Sequence, residues 1–196
     1  VHESQRNDGC IWIQFAKDEG DFGTLYVGNG GRAFSESNFL AICEIAQSDK
    51  EPGEGIGNKG VGFKSVLHVC DSPEVYSVNP DSGGNGQFDG FCFRFARDSD
   101  YPEFCHGDLT LLAALRRELS PYFLPVHISV IPQSVERLRE HGMVTVIRMP
   151  LRKPGKAIVA RQLDELLTSS VPALLFLPRL GRLVVEVMEN GETTCT

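Results

Sequence analysis

The sequence predicts an α+β domain, and three observations carry that prediction. Segments with strand character come in pairs. Stretches with helical apolar spacing separate the pairs. The 196 residues, 41% of them hydrophobic, suffice for one domain with a substantial core.

Residues 10–16 (CIWIQFA) are apolar and β-branched or aromatic and predict a strand. A polar turn over 17–22 leads to a second strand over 23–27, so the two form a hairpin. Residues 28–32 then form a loop, with Asn29 at the strand's exit. Ser35 is the expected N-cap of a helix over 36–47, whose apolar face carries Phe39, Ile42, Cys43 and Ala46. A polar loop containing Gly and Pro spans 48–59, and a helix is expected over 61–70. Residues 73–78 predict a strand and 80–86 a turn-rich loop. Residues 88–97 predict a half-buried strand with Phe91, Phe93 and Phe95 on one side. An acidic loop follows over 98–108; its Cys105 and His106 have no partner ligands at metal spacing. The remaining expectations are a helix over 109–119 stopped by Pro121, a strand over 126–131 and a helix over 133–141. A strand over 143–149 ended by Pro150, a helix over 156–167, an apolar segment over 174–177 and a last strand over 182–188 complete the chain. Asn190-Gly191 is a hairpin-type turn with little after it.

Composition narrows the function classes. A net charge of −7 argues against a nucleic-acid surface spread over the whole domain, leaving only a local basic patch. No apolar run approaches the roughly 20 residues that span a bilayer. Residues 1–8 (VHESQRND) are polar, unlike a signal peptide. The 6 cysteines show no CxxC or zinc spacing, and most sit in apolar contexts, which suits buried reduced thiols in a cytoplasmic protein. The chain opens almost directly into a strand, so it reads as a piece of something longer.

The chemistry concentrates in residues 55–71, GIGNKGVGFKSVLHVCD. Glycines at the mouth of a helix expose backbone N–H groups and the positive end of the helix dipole, a ready site for phosphate. Three phosphate loops fit these letters in part. A Rossmann fingerprint requires a strand immediately before it, but residues 48–54 are polar and broken by Pro52. A Walker loop requires Lys-Ser/Thr directly after the last glycine, but Phe63 separates Gly62 from Lys64-Ser65. The third reading is an adenine-nucleotide cradle, which needs a separate adenine motif upstream.

Residues 29–34 and 55–71 together resemble the GHKL ATPases, which share the Bergerat ATP-binding fold, and most closely the sacsin-type, heat-shock-chaperone-like domain. The likeness covers about residues 10–187 and is most specific over 56–66, IGNKGVGFKSV. It implies a two-layer α/β sandwich, a mixed and mostly antiparallel sheet with helices on one face. In place of the family's Asp-x-Gly-x-Gly motif stand Asn29, Gly31 and Ala33. An asparagine carbonyl can accept the adenine amino hydrogen as the aspartate does, without the charge. Taken alone, Asn29 reads equally well as a turn residue tolerant of left-handed backbone. On a late strand, Thr145 stands where the family places a threonine beneath the adenine, with Val144 where a glycine is usual.

The resemblance implies ATP or ADP as ligand, held by Asn29, Gly31, Gly57, Lys59, Gly60, Val61, Gly62, Phe63 and Thr145. Phosphates would lie over Gly57, Gly60 and Gly62, with Lys59 adding a cation and Lys64 reading as solvent-facing. Residues 48–55 would form a lid coupled to the parent protein. Phe34, Phe39, Val61, Phe63 and Val66 read as core side chains. The family carries its water-activating glutamate and its magnesium-holding asparagine on a helix before the first strand. That strand begins here at Cys10, so both groups, and with them Mg, are expected upstream of Val1. The Glu3 to Asn7 spacing copies theirs but abuts the strand and reads as coincidence. The expectation is an ATP-binding module of a sacsin-like or chaperone-like ATPase, possible as a homodimer. The alternative is a non-hydrolysing interaction domain on the same scaffold.

Overall fold

A computed structural model describes residues 9–43, 63–81, 86–118, 124–168 and 180–195. Eight strands form one mixed sheet: β1 (Cys10–Ala16), β2 (Thr24–Asn29), β3 (Glu74–Ser77), β4 (Cys92–Phe95), β5 (Pro125–His127), β6 (Thr145–Pro150), β7 (Arg182–Glu189) and β8 (Glu192–Cys195). Their order is β5-β4-β3-β6-β2-β1-β7-β8. Every neighbouring pair is antiparallel except β1 and β7, which run parallel with Trp12 opposite Val184. The helices are α1 (Glu36–Cys43), α2 (Tyr101–Phe104), α3 (Leu109–Glu118), α4 (Gln133–Glu140) and α5 (Lys153–Thr168). The architecture is a two-layer α/β sandwich. Among the described residues, no helix is long and apolar enough to cross a membrane.

Alternation along the strands sorts the core. Phe15, Met149 and Val185 share one face and pack against Val159 and Leu163 of α5. Further along that face, Val75, Phe93 and Phe95 meet Phe39, Ile42 and Cys43 of α1. The expected side for Phe91, Phe93 and Phe95 is therefore correct. The expectation of helices on one face alone is corrected by α4: on the opposite face, Trp12, Tyr26, Tyr76 and Val146 pack beneath its Val135 and Leu138. Burial of large side chains such as Phe15 and Tyr26, 1% and 0% exposed, contributes on the order of 2 kcal/mol each.

Ser35 is the N-cap expected of it. Its hydroxyl accepts the Asn38 N–H at 3.2 Å, and the Asn38 side chain accepts the Ser35 N–H at 3.1 Å. The four buried cysteines are Cys10, Cys70, Cys92 and Cys105.

The structure departs further from the sequence expectations in six places, one of them the strand over 126–131, which shortens to β5 (Pro125–His127). The loop placed over 28–32 begins later, because β2 runs through Asn29 and pairs there with β6. The helix expected over 61–70 is, where described, a 3-10 helix over Phe63–His68. It stops because Cys70 bridges Leu151 and the Val69 carbonyl accepts the Arg152 N–H at 3.0 Å. The strand over 88–97 shortens to β4, and its other face is buried as well, through Cys92. The acidic loop over 98–108 contains a 3-10 turn and α2, organised by the Asp100 carboxylate, which accepts from Arg94 and from the Arg97 N–H. Finally, Asn190 and Gly191, with φ of 52° and 79°, make the two-residue turn of a complete hairpin into β8. Residues 44–47 of the expected first helix, the loop over 48–59 and the apolar segment over 174–177 lie outside the described residues.

Candidate functional site

Asn29, Thr145 and Ser77 end or begin three adjacent strands and stand directly opposite one another. Asn29 pairs with Thr145 across β2 and β6, and Thr145 with Ser77 across β6 and β3. All three lie on the face that α1 and α5 cover, because Val27, Ile147 and Val75 precede or follow them by two. Thr145 and Ser77 are buried, and Asn29 is half-buried.

The chain leaving β2 folds back over this row. The Gly31 N–H donates to Asn29 Oδ1 at 3.3 Å. The Phe34 N–H donates to Ser77 Oγ at 2.8 Å, and Thr145 Oγ1 donates to the Arg32 carbonyl at 3.3 Å. The two hydroxyls stand 3.2 Å apart, and the Ser77 hydroxyl can donate to Thr145 or to the Val78 carbonyl at 3.1 Å. The alanine at position 33 fits this turn without strain, since it is not among the non-glycine residues with positive φ. At Gly31 an added Cβ would find its nearest neighbour, Asn29 Oδ1, at 4.0 Å.

The C-terminal part of the glycine stretch enters beside this row. Phe63 lies 6.2 Å from Phe95 in an aromatic layer that also holds Phe34 and Phe39, so these three side chains are core, as their residue types suggest. Val66 packs in the neighbouring α5 cluster. The segment is anchored firmly to α5. Arg152 Nη2 and Nε donate to the His68 carbonyl at 2.8 and 3.0 Å. Gly155 packs so closely on the Val69 carbonyl that no Cβ fits there. Of the predicted site residues, Asn29, Gly31, Phe63 and Thr145 are described. Gly57, Lys59, Gly60, Val61 and Gly62 lie outside the described residues, as does the Lys64 side chain.

Two features escaped the sequence reading. Ser77 completes the polar row, and its only signal was a small hydroxyl at an inward position of an apolar strand. A second row crosses the same three strands on the other face: Tyr26, Arg148 and Glu74. Arg148 Nη2 donates to Glu19 Oε1 and Nη1 to Glu74 Oε2, both at 2.8 Å. Tyr26 donates to Glu19 at 2.5 Å, and Tyr76 to Glu74 at 2.7 Å. Burial and the bond to Glu19 push the Tyr26 hydroxyl up to about 12. Burial and the bond to Glu74 also raise Tyr76. Burial alone would lower Arg148, but hydrogen bonds to Glu19 and Glu74 outweigh it and hold the guanidinium charged. The sequence signal for this row was an arginine and a glutamate in the middle of strands.

Burial pushes the Cys70 thiol up to about 12, which leaves it unreactive. Among the described residues, no group of three or more His, Cys, Asp or Glu side chains could hold a metal ion. A separate open cleft of about 260 Å³ lies by the sheet edge, lined by Phe39, Phe91, Phe93, Pro125 and His127.

The fold and its polar row define an α/β sandwich domain, and comparison with known families makes the assignment specific. The family profile described as the Sacsin domain matches residues 9–195, and the chain belongs to that family. The Protein NO VEIN of Arabidopsis thaliana is 28% identical over 163 residues, a stretch covering 82% of this chain and 5% of that protein. The chain thus spans a small fraction of the length of the curated relative it matches.

Proposed function

We propose that this domain is the ATP-binding module of a sacsin-like protein of the GHKL type, with its nucleotide state coupled to the parent protein. The observation that carries the reading is the placement of Asn29 and Thr145 directly opposite one another on neighbouring strands. The two residues come from motifs 116 positions apart in the chain, and the resemblance assigns both to the adenine (145 − 29). Their chemistry suits the ligand. Asn29 offers a carbonyl that can accept from the exocyclic amine, and Thr145 a hydroxyl on the same face behind it. A bridging water could join Thr145 to the base. The glycine stretch that precedes Phe63 supplies the backbone N–H groups for the phosphates. ATP bound there supplies the phosphoanhydride whose cleavage would drive the parent protein. No described residue is assigned as general base or magnesium ligand.

A second reading is favoured by one observation: the backbone of residues 31–34 already engages Asn29, Thr145 and Ser77. A domain with its polar row satisfied from within could serve as an interaction scaffold that takes no nucleotide. Calorimetric titration of ATP into a protein extended upstream of Val1 separates the two. Saturable binding, weakened at least tenfold by Gly60→Val, is expected. Absence of binding, or binding indifferent to Gly60→Val, would sink the nucleotide reading and leave the scaffold.

A further inference from the structure

Helix α5 carries its charges the wrong way round for a helix that stands alone. Its first turn holds Lys153 and Lys156 and no acidic residue. Its last five residues include Asp164 and Glu165 and no basic residue. The peptide dipoles put partial positive charge at the first turn and partial negative charge at the last, so each end of α5 meets its own sign. Arg161, 3.8 Å away, offsets Glu165 in part. Lys153, Lys156 and Asp164 make no ion pair with any described residue.

The buried residues of α5 are Gly155, Val159 and Leu163, which turn toward the rest of the domain. Lys153, Ala157, Ala160 and Asp164 are exposed and follow one another at intervals of four, three and four. That is the spacing of a seam that faces a second helix. Opposite charges stand at its two ends, and alanines fill its middle.

The seam is complementary to itself. A two-fold axis lays one α5 antiparallel to another and sets the same patch against itself. The midpoint of Lys153 and Asp164 is also the midpoint of Ala157 and Ala160. One register therefore places Lys153 against Asp164 of the second copy at both ends, with Ala157 against Ala160 between them. The alanines let the helix axes close to about 8 Å, the short end of the usual range. Charges that oppose the dipole of a lone helix then meet the opposite charge of a neighbour. A partner of a single charge sign would satisfy only one end of the seam.

We propose that α5 is a homotypic docking surface, joining two copies of this chain through antiparallel pairing of their α5 helices. One helix pair is a small interface, so the association is weak and reversible. The test is sedimentation equilibrium of the full-length protein as wild type, as Lys153→Glu, as Asp164→Lys, and as an equimolar mixture of the two variants. The wild type is expected to dimerise, more weakly as salt is raised. Either variant alone sets like charges together at both ends and should dimerise at least tenfold more weakly. In the mixture both ends again join opposite charges, so the wild-type affinity should return. A wild type that stays monomeric at the highest soluble concentration overturns the inference. So do variants that dimerise as the wild type does, which places the contact elsewhere, and a mixture that recovers nothing. Circular dichroism checks the fold of each variant. If one is unfolded, Lys153→Gln or Asp164→Asn takes its place, and an unchanged dimer constant there overturns the inference.

Discussion

Arg148→Met is the sharpest probe of what holds the three site strands together. Arg148 lies on β6 between Tyr26 of β2 and Glu74 of β3, and it bonds Glu19 and Glu74 at 2.8 Å each. The Glu74 side chain is 10% exposed, whereas that of Glu19 is 32% exposed. The two carboxylates therefore contribute differently. Losing the partner of a buried charge costs about 3–5 kcal/mol, since the remaining charge stays desolvated. Losing a solvent-screened partner costs about 0–1 kcal/mol. Tyr76 still donates to Glu74, which favours the low end. A net loss of about 3 kcal/mol follows. At a urea dependence of about 2 kcal/mol per molar, the unfolding midpoint falls by about 1.5 M. The assay is urea unfolding followed by fluorescence of Trp12, the chain's 1 tryptophan. Adding Glu74→Gln to Arg148→Met should recover part of the loss, because the stranded charge is then gone. A loss below about 1 kcal/mol, or no recovery in the double variant, would refute the claim that a buried charge pair clamps these strands.

Two further outcomes are expected. Gly155→Ala should destabilise the domain by about 1–3 kcal/mol in the same unfolding assay, since its Cβ meets the Val69 backbone and cannot be relieved by a side-chain turn; an unchanged midpoint would show that α5 does not pack on that segment. Tyr26 carries a folded-state pKa of about 12 against an ordinary 10.0, so the folded state holds this proton more tightly. Its contribution is complete below pH 10 and is lost as the pH rises toward 12, about 3 kcal/mol in all. Tyr26→Phe should flatten that alkaline limb while the slope due to Tyr76 remains; an identical limb in the variant would place the titration elsewhere.

Much of the fold was legible because its signals are local. The alternation in β1, the 3.6-residue apolar spacing in α1 and the hydroxyl of Ser35 three positions before Asn38 all act between near neighbours. The elements that were misjudged are those where a distant partner decides. The 3-10 helix after the glycine stretch ends because Cys70 and Val69 are claimed by Leu151 and Arg152. β4 keeps only the register Glu74–Arg94 to Tyr76–Cys92 with β3, beyond which Gly90 bonds the Ser77 carbonyl at 2.9 Å outside the regular ladder. The four exposed residues of β8 carry no apolar pattern, and only the Asn190-Gly191 turn announced that strand. For the site, residue type singled out Asn29 and Thr145, but Ser77 was one serine among many until the register placed it beside Thr145.

By itself, then, the sequence determined the α+β class, the Ser35 cap, the Phe91–Phe93–Phe95 face and the kinship of its glycine stretch. Those follow from side-chain chemistry repeated over a few residues, which a linear chain displays openly. Only the tertiary structure decided that Asn29, Thr145 and Ser77 form one polar row, that Arg32 and Phe34 close it, and that Tyr26, Arg148 and Glu74 lock the same strands from behind. The Thr145 to Arg32 bond joins residues 113 positions apart. Which residues meet at that distance is set by strand order and register, and these arise from the packing of the whole sheet, not from any one segment of it.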